Sequence, residues 1–270
     1  MQPRARGAGG DEASVSSVGD DVPRGAPMMP EYAVDAVEVV IKGAFNPAIF
    51  SPAWLLAEQV IGALEYEDLE LNLISRDFAG FRTGWLRCDV TPEACQLSTQ
   101  EPEEFERLRD AAVTVLRALP KTPIAALGLN RLVHVLVPDL DAWHAIGDRL
   151  APKDIWKDLL EAPGMRTVTV WGVRTDGYTG RIQVQVEPSF RVPRAVFMSV
   201  NDHFTLSDAT GDVTETRSRD EAWQLGHESE VEVTSAKIAV ALELLSNHWQ
   251  ASLSRSTLYI DRVLHQGIDQ

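Results

Sequence analysis

Residues 84–99 read GWLRCDVTPEACQLST, residues 101–119 read EPEEFERLRDAAVTVLRAL and residues 125–138 read AALGLNRLVHVLVP. Trp85 to Val90 alternates strictly. Leu86, Cys88 and Val90 point one way, and Trp85, Arg87 and Asp89 the other, which is the two-residue period of a half-buried strand. Val90-Thr91-Pro92-Glu93 makes a bend, and Cys95 to Thr99 returns as a second strand. Pro102 then opens a helix. Glu101, Glu103 and Glu104 sit at its positive end, and Arg117 and Lys121 near its negative end. Phe105, Leu108, Ala112, Val115, Leu116 and Leu119 form its apolar stripe, and Leu127 to Val137 closes the run as a strand ended by Pro138.

Upstream, Val34 to Phe45 alternates with Val37, Val39 and Ile41 on one face, and Asn46-Pro47 interrupts it. Ser51 and Pro52 suit a helix start, and Trp54, Leu55, Val60, Ile61 and Leu64 supply one apolar face. Leu69, Leu71 and Leu73 alternate with Glu70 and Asn72 as a strand, and a loop with Gly80 and Gly84 follows. With the short return strand Cys95 to Thr99 counted as part of its hairpin, the order from Glu31 to Val137 is strand, helix, strand, strand, helix, strand. That is the order of a ferredoxin-like split unit, with an antiparallel sheet and both helices on one face.

Residues 139–270 read as a second α+β half packed on the first (30–138), either extending its sheet or covering its free face. Asp139 to Glu161 is helical, broken at Pro152. Strands follow at Arg166–Thr175, Tyr178–Glu187 and Arg194–Leu206, with an Asp176-Gly177 hairpin turn. Ser207 to Asp220 is a polar loop. The remainder is mainly helix, with Ile238, Leu242, Leu245, Trp249 and Leu253 on one side. Residues 1–29 are poor in large apolar side chains and read as a disordered tail.

The chain has 270 residues and a net charge of −15. Three Arg stand against four acids in residues 1–29, so −14 of that belongs to residues 30–270. Such a balance disfavours binding to nucleic acid or anionic membrane, because phosphate contacts need basic surface, and it leaves room for a basic partner. No apolar run is long enough for a bilayer, and no apolar core precedes Met28, so a cytoplasmic location is expected. The two cysteines, Cys88 and Cys95, have no zinc spacing and read as buried thiols.

In these stretches, and in residues 241–260 (ALELLSNHWQASLSRSTLYI), the chain resembles an uncharacterised, sporadically distributed bacterial protein family of about this length. The likeness spans roughly residues 30–265. It implies no activity, catalytic residue or cofactor. The sporadic distribution implies a role in an anti-phage or mobile-element system.

The chain lacks the GxxxxGK[ST], GxGxxG, GxSxG, HExxH and CxxC patterns. Two constellations could carry chemistry. Asp141, His144 and Asp148 share a helix face and could bind a divalent metal; the plain alternative is an acidic helix start with a solvated His. Asp202 and His203, beside Asn201, interrupt an otherwise apolar strand and could supply a carboxylate and a general base; the plain alternative is a solvated strand end. His134 reads as a satisfied sheet histidine, and His227 with Glu228 and Glu230 as solvated loop. Trp85, Trp171 and Trp249 are the candidate contact residues. Leu245, Trp249 and Leu253 could also form a self-association seam.

The expectation is thus a non-catalytic protein-binding or assembly module without a cofactor, its partner another protein or a second copy. The alternatives are a metal-dependent or small-molecule hydrolase and an anti-phage component.

Overall fold

The computed structural model describes residues 30–206 and 235–267. The N-terminal tail, the Ser207–Asp220 loop and His227 with its acidic neighbours lie outside the described residues. Glu31–Gly43 forms β1, whose Val37, Val39 and Ile41 are almost wholly buried on one face. Ser51 caps α1 (Pro52–Ala57) by accepting the Trp54 N–H at 3.2 Å. The single helix expected to reach Leu64 does not form. Gln59 has a positive φ of 60°, which ends α1, and α2 (Ala63–Glu67) starts again after Gly62. Leu64 is consequently 76 % exposed, while Val60 and Ile61 turn into the core.

β2 (Glu70–Ile74) and β3 (Ala79–Arg82) form an edge hairpin. β3 falls where a Gly-containing loop was expected; Ala79 and Phe81 are fully buried there, and Gly80 lets the Phe78 ring lie close over the backbone. β2 is exposed along its whole length. β4 (Arg87–Thr91) and β5 (Ala94–Thr99) are the expected hairpin, with Val90 opposite Cys95 and Cys88 opposite Leu97. Both cysteines are free and buried. α3 (Phe105–Ala118) follows a 3-10 turn at Pro102–Glu104 and buries Leu108, Ala112, Val115 and Leu116, as its stripe requires. β6 is Ile124–Leu136.

Asp139 caps α4 (Leu140–Leu150) through the Ala142 N–H at 2.8 Å. β7 (Val168–Val173), β8 (Gly180–Pro188) and β9 (Ala195–Thr205) follow. The turn between β7 and β8 uses Gly177 at φ +83°. The C-terminal helical stretch is two helices, α5 (Ser235–Asn247) and α6 (Trp249–Leu264), meeting at His248. Among the described residues no helix is long and apolar enough to cross a membrane.

The nine strands make one antiparallel sheet in the order β2-β3-β4-β5-β1-β6-β9-β8-β7. Strands from both halves of the chain share it, because β9 pairs along the free side of β6. The protein is thus α+β, with helices layered on one large antiparallel sheet. Register puts Val37, Val39 and Ile41 of β1 in line with Leu127, Leu129, Val133 and Val135 of β6 and with Val196, Met198, Val200 and Phe204 of β9. These residues build both apolar clusters, together with α1, α3, α4, α5 and α6. All described helices that join those clusters therefore lie on one face. The other face carries none of them. It carries polar, largely half-buried side chains, among them Glu38, Gln96, Ser98, Asn130, Gln183, Gln185, Ser199, Asn201 and His203, interspersed with apolar Val40, Leu132 and Phe197.

Candidate functional site

Asp202 lies in the interior of β9, between β6 and β8, so it is not a strand end. Its side chain is 2 % exposed, on the helix-covered face. A buried carboxylate is costly unless it is paired and hydrogen-bonded. Here it is both. Arg174, whose side chain is fully buried, donates to one oxygen, while Arg255 of α6 (2.7 Å) and the Ser252 hydroxyl (2.7 Å) donate to the other. Asp176, in the β7–β8 turn, takes two bonds from Arg174 (3.0 and 2.5 Å) and one from Arg255 (2.8 Å). The Arg174 guanidinium also stacks 3.6 Å from the Phe204 ring centre.

Two arginines and two aspartates alternate in this cluster, so it is neutral overall. Burial pushes the Asp176 pKa up, but the hydrogen bond and charge of Arg174, with Arg255, outweigh it and hold the carboxyl below its usual range. Chemically this is a clasp that pins the β7–β8 hairpin and β9 to α6. Accepting from two guanidiniums and a hydroxyl, and 2 % exposed, the Asp202 carboxylate is held as a paired anion turned away from solvent. His203 points to the opposite face and does not meet Asp202.

Beside the clasp, the Tyr178 hydroxyl and His248 Nε2 share a 2.5 Å hydrogen bond, which ties the hairpin tip to the α5–α6 junction. Burial, with the charges of Glu243 and Asp176, pushes the Tyr178 pKa up. Arg131 makes a comparable link, reaching Asp35 of β1 in a two-pronged pair (2.9 and 2.7 Å) and Thr257 of α6 at 2.6 Å. Neither link was legible in the sequence, because the partners lie 70 to 126 residues apart.

A Ser–His pair was also missed. Ser189 Oγ lies 2.8 Å from His134 Nδ1. It also accepts the backbone N–H groups of Arg191 (3.2 Å) and Val192 (2.8 Å). Both lone pairs are then engaged and the hydroxyl proton goes to His134, so the geometry locks a turn rather than arming a nucleophile. His134 is the satisfied sheet histidine expected. Burial, then the charge of Arg191, pushes its pKa below the usual value, against a smaller opposing effect of Glu187.

Asp141, His144 and Asp148 do lie along the exposed side of α4. His144 and Asp148 line a cleft of about 230 Å³ with Trp143, Lys153, Met165 and Glu187. Asp148 is paired with Lys153 at 3.1 Å, and Lys153 also donates to the carbonyls of Gly147 and Ala151, closing the C-terminal end of α4. Among the described residues no three His, Cys, Asp or Glu side chains gather as a metal site would need.

The tryptophans separate. Trp85 is not on the polar side of a strand. β4 begins only at Arg87, and the turn closed by Thr83 and Leu86 rolls the indole into the helix-side core beneath Arg107, 4.4 Å from its ring centre. Trp249 is 1 % exposed and Leu245 fully buried, so the chain's own core absorbs the helix seam expected to serve self-association. Of the three candidate contact residues Trp171 stands half-buried, on β7 at the end of the sheet. Compared with protein-family models and with curated proteins, the chain matches none.

Proposed function

We propose that the protein is a non-catalytic, cytoplasmic protein-binding or assembly module that meets its partner on the sheet face opposite the helices. One observation carries this reading. A sheet of nine strands presents one face on which no described helix packs, and that face mixes half-buried carboxamides, hydroxyls and imidazoles with charged Lys42, Asp89, Arg181 and Glu187 and with apolar Leu132 and Phe197. A sheet covered on one side only has its second side available for contact with another macromolecule. The pairing-off of Asp202 in a neutral clasp supports the same reading, since it removes the best-placed candidate base. The net charge of −15 favours a protein partner over nucleic acid or anionic lipid.

The first half is read here as ferredoxin-like. Supporting this, β6-β1-β5-β4 are neighbours in that order and α3 crosses from β5 to β6 over β1, with β2–β3 as an added edge hairpin. Affinity purification from the native host, with mass spectrometry of co-eluting proteins and light scattering of the eluate, tests the function. A stoichiometric protein partner or a defined oligomer is the expected result. Recovery of the bait alone with a tightly bound metal or nucleotide would overturn it.

A further inference from the structure

The helix-free face carries a single lateral row of residues that crosses seven strands: Trp171, Gln183, Asn201, Asn130, Glu38, Ser98 and Arg87 stand opposite one another in turn. At its centre Asn130 donates its amide N–H to Glu38 at 3.0 Å. The side-chain oxygens of both Asn130 and Asn201 are buried and have no hydrogen-bond partner. Nearly all buried polar atoms in folded proteins are satisfied, so two orphaned acceptors side by side call for a donor from outside. Glu38 takes part in no ion pair among the described residues; its cross-strand neighbours on this face are Asn130 and Ser98, both neutral. The centre of the row therefore offers two unused carbonyl oxygens and a carboxylate, with the Asn130 amide N–H already committed to Glu38.

The complementary group is a cation with several donors in a plane. Adjacent strands stand about 4.8 Å apart, so the three acceptors spread across two such spacings. A guanidinium, with five N–H donors in a rigid fork, spans adjacent acceptors better than the compact ammonium of lysine. We propose that Glu38, Asn130 and Asn201 form a docking site for the guanidinium of an arginine carried by the partner protein. This rests on the protein-binding reading above and names the chemistry of its partner; the charge complementarity is that of an acidic chain meeting a basic segment.

The test uses the full chain with its side-chain amides labelled for NMR, titrated with a capped pentapeptide holding one central arginine among threonines. Asn130 and Asn201 amide signals move, with a response about tenfold weaker for the same peptide carrying citrulline or for the Glu38→Gln protein, as expected for loss of one charge-assisted contact. Asn201→Ser, at a half-buried position, gives a second weakened variant independent of Glu38. Unmoved asparagine signals at millimolar peptide, or a response equal for arginine and citrulline, overturn the proposal. If the purification captures a partner and Glu38→Gln captures it equally well, the arginine site fails while the binding function stands; if nothing is captured and the signals stay still, both fail.

Discussion

Replacing Asp202 with alanine isolates the clasp. The change removes the carboxylate that holds Arg174, whose side chain has no solvent exposure, and leaves that guanidinium with Asp176 alone. Breaking a buried pair by deleting one partner costs about 3–5 kcal/mol, because the remaining charge cannot return to water, and the two bonds Arg174 keeps to Asp176 hold the cost here to the lower end. Arg255, 22 % exposed, re-solvates and adds little, and the freed Ser252 hydroxyl adds about 1 kcal/mol at most. The expected loss is therefore about 4 kcal/mol. For a chain of this size that corresponds to a fall in Tm of roughly 8–16 °C. Urea unfolding followed by circular dichroism measures the first quantity and scanning calorimetry the second. Removing both charges, with Arg174→Met and Asp202→Leu together, restores most of the loss, because the penalty lies in a buried charge left with too few partners and not in the missing bond. A single-variant loss below about 1 kcal/mol, or a double variant no better than the single, would refute the account of the cluster as a closed structural clasp.

The acid limb of the stability curve provides another check. Asp176 has a lowered pKa in the folded chain, so its contribution is present above the unfolded carboxyl value near 4 and is lost as pH falls through the lower folded value; Asp176→Asn flattens stability against pH in that range. His134 titrates below its usual 6.5 in an NMR series, so the neutral ring favours the fold and that contribution fades as pH falls; Arg191→Ala moves its midpoint upward. Burial raises the Cys88 pKa, with Cys95 beside it adding to the effect, so neither thiol reacts with an aromatic disulfide reagent in the native protein and both react in denaturant. Gly180→Ala destabilises by about 1–3 kcal/mol from backbone strain alone. Its φ is +141°, and an added Cβ would stand 2.1 Å from the His203 carbonyl oxygen.

Elements whose own side chains state a period were legible. The β4–β5 hairpin, α3, β6 and the β8–β9 pair fall where alternation and helical spacing place them, because burial of one face writes a repeat into neighbouring residues. The failures have local causes. One apolar face drawn through Trp54 and Leu64 ignored that Gln59 takes a left-handed conformation, so α1 and α2 point their side chains differently. Gly80 and Gly84 disguised β3 as loop, although Ala79 and Phe81 carry its buried face. A polar residue inside an apolar strand, Asp202, was visible as an anomaly. Its partners Arg174 and Arg255 were not, since nothing near position 202 announces them.

Local order along the chain, its acidic balance and its buried thiols follow from residue type and spacing, which act over a few positions at a time. Strand neighbours, the side on which helices settle, and the meeting of Asp202 with two distant arginines depend on β9 closing against β6. That closure joins segments some 70 residues apart through backbone hydrogen bonds, which are alike for every side chain and so leave no mark in the amino-acid order.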